Sequence, residues 1–497
     1  MPAKHSPHLA PLGPLAYRPR APVPAVALTI VAVLGLVVGI SFMMNVLSLD
    51  VAVAAGFAVA LSFLCFVRIK WVLFVLIFAC LFSPELQVSG VLGRAAKRAI
   101  TIRVEDILLV VIAIAWFARA AVSKELGLML RTPLNRPIFF YALVCIIATA
   151  LGIGYGWVEG PVGAGLFVLK YIQYFVLFFM IVNHVETPRD VRNLVAAGVI
   201  TYLVVCLYGL AQVPGGGRPT TFAEHIHEPN TLAGYLLFMM GICFGLLLTV
   251  ESGFRRLGWG ILGALGVILL AYTLSRSGWA GMIGVGAVLV FVGRRKFALV
   301  ATLLTVASGL TILSFEADWV PDPIKTRALE TVGEFESYHG MPPPVELFGM
   351  QLDPSASERF RSYEDALKTW FQRSTKHWVP IFTGSGVLGG KPFVDGQYVR
   401  VLAETGVLGL IAFVGLLVAI WRHVWRAYAE LRTPWYRGLA LGYLAGFAGL
   451  LVHAIGANTF IIVRIMEPFF IFTGIVVLLP MMERMELEET AEASEPV

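Results

Sequence analysis

Residues 383–410 read TGSGVLGGKPFVDGQYVRVLAETGVLGL, and this stretch sets the organisation of the chain. It closes a polar segment of about eighty residues (316–398) in an otherwise apolar sequence, then runs directly into an apolar helical pattern. Gly384, Gly386, Gly389 and Gly390 let the backbone turn tightly. Asp395 stands just ahead of the apolar run, where a short carboxylate accepts from the first free N–H groups of a helix. Locally this is a glycine-rich loop closed by an N-cap aspartate. Any functional reading has to come from its setting.

Outward from that stretch the chain is oily. Of its 497 residues, 58% are hydrophobic and 14% charged, and the mean hydropathy is +0.79. A soluble chain carries about a quarter charged residues. Repeated apolar runs near the length of a bilayer crossing give an all-α, polytopic membrane protein. The expected spans are 25–46, 51–67, 71–83, 103–120, 137–155, 165–184, 192–210, 230–250, 257–275, 277–293, 297–315, 399–421, 438–459 and 461–482. That is about fourteen, or twelve to thirteen if the short 71–83 run or a tight pair fails to cross. The first eleven fill 25–315 and the last three 399–482, with the long loop 316–398 between them.

Residues 1–24 hold seven prolines together with Lys4, Arg18 and Arg20, the composition of a disordered basic tail. The first apolar run lacks a small-residue cleavage site and reads as a membrane helix, not a cleaved signal. Residues 483–497 form an acidic tail. Cys65, Cys80, Cys145, Cys206 and Cys243 all fall in apolar runs without metal-ligand spacing, so they read as small core residues. The formal charge of +6 is not a nucleic-acid signal in such a chain; what matters is its sidedness. With both termini inside, inner segments carry about twenty-one Lys and Arg and the short outer segments about seven. This bias places the 316–398 loop outside.

Within that loop, residues 355–373 set Phe360, Tyr363, Leu367, Trp370 and Phe371 at helical spacing between charges, an amphipathic helix at the membrane surface. Arg359 and Arg361 then either meet headgroups or face a site. Charges at membrane depth mark sites or internal pairs. Lys170 lies a turn or two inside its span, and Arg464 and Glu467 can pair along one helix face. Arg276, in LSRSGWAG, sits between two spans that almost touch, where a guanidinium either holds a phosphate oxygen bidentately or reaches lipid headgroups. Arg218 lies in the Gly- and Pro-rich outer loop VPGGGRPTTFAEHIHEPNTLAG, ahead of a helix beginning near Asn230. His225, His227 and Glu228 lack a further ligand set at metal spacing, so no metal site is expected. Together these features suit a dianionic or pyrophosphate-linked lipid substrate approached from outside by a polar acceptor.

Three blocks resemble the O-antigen ligase and polymerase superfamily of bacterial envelope enzymes. HEPNTLAGYL (227–236) is similar to the family's helix start, and LSRSGWAGMIGVGA (274–287) to its Ser-Arg block between two spans. PIFTGSGVLGG through VDGQYVRVLAETGVLGL (380–410) is similar to its glycine segment followed by a polar helix start. The resemblance covers about residues 210–415; the earlier spans match only in hydropathy. It implies a cofactor- and metal-independent glycosyltransferase of GT-C-like architecture in the bacterial inner membrane. The donor would be an undecaprenyl-pyrophosphate-linked oligosaccharide, the acceptor a second glycan or lipid A–core. Surrounding lipids and a chain-length regulator would be its partners, and nucleic acid would not.

Carried over by position, Arg218 and Arg276 grip the pyrophosphate and stabilise its leaving charge, with Arg359, Arg361 and Lys170 as further donor contacts. His227 and Asn230 shape the adjoining loop. Asp395 stands where ligases carry histidine, and Gly396 where many relatives carry asparagine. A carboxylate can accept the acceptor hydroxyl's proton as histidine would, and the departure favours polymerisation over ligation. Gln397 and Tyr398 are candidates for sugar hydroxyls, and Glu404 for anchoring the loop. A transporter of the same lipid-linked sugars, or an envelope scaffold, are the competing classes. A transporter would place its charges along a midplane path, often with inverted repeats.

Overall fold

The computed structural model describes residues 73–83, 85–87, 101–103, 132–215, 217–221, 228–293, 345–347, 350–351, 354–389 and 394–494, with isolated positions in 106–113 and at 322–323. All belong to one compact unit, Leu64–Val497. The basic tail and the spans expected at 25–46, 51–67 and 297–315 lie outside the described residues, as does most of 103–120.

The described chain is helical apart from two short antiparallel ladders. A ten-residue helix, α1 (Leu73–Phe82), leads into β1 (Glu85–Gln87), which pairs with β2 (Thr101–Arg103). Then come α2 (Asn135–Gly154), α3 (Pro161–His184), α4 (Pro188–Gln212), α5 (Pro229–Thr249), α6 (Gly253–Tyr272) and α7 (Arg276–Gly293). A two-residue ladder of β3 (Glu346–Leu347) and β4 (Met350–Gln351) precedes α8 (Pro354–Lys376) and the short α9 (Val379–Thr383). The chain closes with α10 (Gln397–Glu430), α11 (Pro434–Gly456) and α12 (Val463–Ser494).

Nine of these helices, α2 to α7 and α10 to α12, are long and apolar enough to cross a membrane among the described residues, so the protein is a multi-pass helical membrane protein. The ten described residues of α1 are fewer than the roughly twenty that a crossing takes. Local chemistry sets several starts. Proline opens α3, α4, α5 and α11, where its missing N–H would have had no partner. Thr187 and Asp190 form a reciprocal capping box at the start of α4.

The core is the pair α5 and α11. Gly241 and Gly245 face Gly438, Gly442 and Gly446, and a side chain at Gly241 or Gly245 would strike α11 backbone. Small residues four apart let two membrane helices approach this closely. Aromatic rings of Phe238, Tyr443, Phe447, Phe460 and Phe469 pack against one another beside this seam, and α12 closes over it. At one end, Glu483 of α12 accepts from the backbone N–H of Arg432 (3.0 Å) and Thr433, supplying a carboxylate to the start of α11. The acidic tail expected from residue 483 is therefore a continuation of α12 as far as Ser494. The opposite end gathers the turn 273–275, the residues around 156–160, 217–221, α8, α9 and the glycine-rich segment. We call it the loop end.

Candidate functional site

The glycine-rich segment is a wedge in the helix wall. Inside α10, Gly406 leaves the helical conformation (φ 67°, ψ −167°), so the carbonyls just before it lose their usual partners. The turn after α9 supplies replacements: Ser385 N–H donates to the Ala403 carbonyl (3.0 Å) and Gly386 N–H to that of Glu404 (2.9 Å). Gly384 and Gly386 also take positive φ (65° and 84°). Side chains at Gly384 or Gly406 would strike backbone across this junction. The other flank of the turn lies on α2, where Val387 N–H donates to Thr149 Oγ1 (3.3 Å) and Gly152 touches Ser385 and Gly386. Irregular backbone at such a depth is tolerated where protein groups satisfy it.

Glu404, just before the break, is closed in. Its carboxylate pairs with Arg400 at 2.9 Å and accepts from Tyr171 Oη at 3.4 Å, and both charged side chains are little exposed (12% and 11%). Its side chain binds α3, and its carbonyl holds the glycine turn.

Asp395 differs. It does not cap α10: Gly396 is the N-cap, without any side-chain cap bond. Gly396 occupies that place because the ring of Tyr363 packs there, within 2.6–2.7 Å of where a Cβ would lie. Asp395 is left one residue outside, with Oδ2 4.0 Å from Arg359 Nε and side chains 29% and 24% exposed. The separation is longer than a hydrogen bond, and both groups remain reachable. Tyr363 Oη donates to the Ile455 carbonyl (2.7 Å). Burial pushes its hydroxyl above the ordinary range; the Asp395 charge adds to this and Arg359 opposes it. Ala366, Val394 and Ala403, with Tyr363 and Val399, form the apolar floor that fixes α8 over the start of α10.

The α6–α7 turn completes the loop end. Leu274 takes a positive φ of 52°, and Ser275 caps α7 by accepting from Gly278 N–H (3.2 Å). Ser275 Oγ also donates to Asn230 Oδ1 (2.7 Å), tying the start of α5 to this turn. Arg218 donates through Nε to the Thr273 carbonyl (2.8 Å) and through Nη2 to that of Leu274 (3.2 Å). Its guanidinium thus braces the turn that presents Arg276 as the first residue of α7. Gly456, ending α11, lies between the two parts: a Cβ there would sit 3.3 Å from Ser277 Cβ and 3.5 Å from Arg359 Nη1.

The remaining candidates separate. Lys170 pairs with Asp106 at 3.1 Å. Gln397 is fully buried and accepts from Phe460 N–H (2.9 Å), while Tyr398 Oη donates to the Leu451 carbonyl (2.8 Å). Both fasten the start of α10 to α11 and the segment after it, so sugar hydroxyls would have to displace these bonds. Arg361 is half-buried on α8. His225 and His227 lie outside the described residues, and no cluster of three metal-ligating side chains occurs among the described ones. Arg464 is fully buried and donates to Thr221 Oγ1 (2.7 Å) and the Ser83 carbonyl (3.4 Å), whereas Glu467 accepts from Gln173 Nε2 (2.8 Å). His453 is buried against Thr459 Oγ1 (2.7 Å).

Sequence reasoning reached Arg359, Asp395 and Arg276 separately; the fold sets Arg359 against Asp395 and brings the start of α7 beside them. It missed Ser275, Tyr363, Arg400 and Tyr171. A serine immediately before Arg276, in a turn, was the available signal for the first of these. Tyr363 and Tyr171 depend on contacts between distant elements, whereas Arg400 stands four residues before Glu404 on one helix, a spacing the sequence displays. Chemically, the loop end offers a reachable carboxylate, a guanidinium beside it and the N-terminal turn of a helix carrying a second arginine. No protein-family model matches the chain, and a search of curated proteins finds no match.

Proposed function

We propose that this chain is a bacterial inner-membrane glycosyltransferase of GT-C-like architecture that joins undecaprenyl-pyrophosphate-linked glycans on the periplasmic side, as a polymerase. The observation that carries the reading is the half-open Arg359–Asp395 pair beside the start of α7, whereas the other charged groups near the start of α10 are closed in. The resemblance of residues 227–236, 274–287 and 380–410 to the O-antigen ligase and polymerase superfamily supplies the substrate class.

In this reading Arg276 and the N-terminal turn of α7 receive the donor pyrophosphate, where helix N–H groups and a guanidinium favour an anion. Arg218 acts on that group by holding the turn. The acceptor hydroxyl approaches Asp395, its oxygen bonds to the anomeric carbon, and the bond from that carbon to the pyrophosphate oxygen breaks. The proton passes to the Asp395 carboxylate, and the pyrophosphate leaves with the electron pair, its charge stabilised by Arg276. A single displacement inverts the anomeric configuration. Arg359 holds the carboxylate in place between turnovers.

The test is glycan output in cells that lack the native protein and carry Arg276→Ala or Asp395→Ala at normal membrane levels. Single lipid-linked repeat units accumulating without long chains are the expected result. Long lipid-linked chains that never reach lipid A–core would make the protein a ligase. Units held on the cytoplasmic leaflet would make it a transporter, and unchanged output would remove both residues from the site.

A further inference from the structure

A second cluster at the loop end is untouched by the chemistry above. Past Gly154, the last residue of α2, Gly156 (φ 70°) turns the chain back, and the N–H groups of Trp157 and Val158 both donate to the Gly152 carbonyl (2.9 and 3.3 Å). Val158 is buried, 3.0 Å from where a Cβ on Gly386 would lie. Tyr155 and Trp157 both precede this plug, and their rings stack at 4.6 Å with 10° between planes. His377, just past the end of α8, sets its ring 5.8 Å from Tyr155 and 6.4 Å from Trp157. The Arg373 guanidinium lies 5.8 Å from the Trp157 ring and also binds the Gly389 carbonyl of the glycine-rich segment. Tyr155 remains 46% exposed, and Glu159, two residues after Trp157, is exposed.

We infer that the Tyr155–Trp157 stack, flanked by His377 and Arg373, is a docking platform for a sugar ring of the acceptor glycan. A pyranose presents an apolar C–H face and a rim of hydroxyls. The outer face of Tyr155, with the His377 imidazole beside it and Trp157 backing it between Tyr155 and the Arg373 guanidinium, offers an apolar face with polar groups at its rim, in the manner of small-molecule sites that combine apolar faces with a few polar groups. A membrane belt is the other use of interfacial tryptophan and tyrosine. The Trp378–Phe382 pair, 71% and 44% exposed and apolar, fits that use better. The platform rests on the glycan-transfer reading for the identity of its ligand. Arg373 and Arg359 lie about 21 Å apart along α8 by helical rise, so the platform engages the acceptor away from its reacting end.

The full-length protein in lipid nanodiscs is tested by saturation-transfer NMR, with oligosaccharides released by mild acid from the surface polysaccharide of the source cells as probe. Trp157→Ala and Tyr155→Ala are expected to weaken binding at least tenfold; Trp157→Phe restores most of it, and Trp378→Ala leaves it unchanged. Equal binding by wild type and Trp157→Ala overturns the platform, as does an absence of wild-type binding at millimolar probe. Strong quenching of Trp157 by lipids brominated in the acyl chain overturns it in favour of a membrane belt. Glycan output in the Arg276→Ala cells fails or succeeds independently of these results, so the platform and the glycan-transfer reading can fall separately.

Discussion

Two acid–guanidinium pairs stand within three turns of each other around the start of α10, and they are built differently. Arg400 and Glu404 lie 2.9 Å apart, are nearly sealed, and have Tyr171 as a third partner. Arg359 and Asp395 lie 4.0 Å apart, about twice as exposed. The first pair sits at the helix break, where the Glu404 carbonyl also holds the glycine turn. The second sits where the chain enters the helix, with its carboxylate one residue ahead of the N-cap. A buried charge left without its partner is costly, whereas a half-exposed pair contributes little to stability. The comparison supports the proposal that the first pair is architecture and the second takes part in the chemistry.

The hardest blow to that comparison would be a dispensable Glu404. Glu404→Ala should destabilise the protein by about 3–5 kcal/mol, because Arg400 is left charged in a closed site. Arg400→Leu combined with Glu404→Leu should recover much of the loss in detergent thermal melts. If the single variant melts like wild type, the inner pair is not an anchor. Next in size is Gly406→Ala, which combines a positive φ with a strike on the Phe382 backbone and should cost about 1–3 kcal/mol. Gly415→Ala, in the same helix but facing open space, should be neutral or slightly stabilising. Equal effects at the two glycines would mean that the break does not depend on the docked turn.

Ser275→Ala removes the cap of α7 and the bond to Asn230, and about 1 kcal/mol is expected. Transfer should fall further than stability does, since the turn carrying Arg276 loosens; a purely proportional loss would place Arg276 outside the site. The smallest effect concerns Tyr363, whose hydroxyl is raised by burial. A raised group keeps its contribution below the ordinary tyrosine value of about 10 and loses it as pH rises through the folded value. As pH rises above about 10, proteolysis near α8 should therefore increase more steeply in wild type than in Tyr363→Phe, which has no proton to lose. Parallel curves would show that Tyr363 does not hold α8 over the outer pair.

Much of the bundle was legible in the sequence because apolar length is a local signal. The nine membrane-length helices fall on expected runs, and the helix at Pro354–Lys376 on the expected spacing. The break at Gly406 was not legible. Residues 399–421 read as one membrane span interrupted only by Arg400 and Glu404, and a glycine within it reads as a small packing residue until the turn from α9 is seen to satisfy the carbonyls before it. The N-cap reading of Asp395 was one residue out, because the Tyr363 ring from α8 favours glycine at the cap itself. Arg218 read as a free guanidinium for phosphate, yet two of its nitrogens hold the Thr273 and Leu274 carbonyls. The positive φ at Leu274 that orients this turn has no signature in the sequence. Candidate residues could be named one at a time, but which charge is open and which is closed is a property of packing.

That property is best tested by measuring melting temperature and initial transfer rate together, on purified Asp395→Asn and Glu404→Gln supplied with an undecaprenyl-pyrophosphate-linked oligosaccharide. Asp395→Asn should melt within a few degrees of wild type, as expected for an exposed pair, and lose transfer by about 10²–10⁴-fold. Glu404→Gln should melt lower, with transfer falling only as far as the folded fraction does. Full transfer by a stably folded Asp395→Asn would contradict the account at its centre.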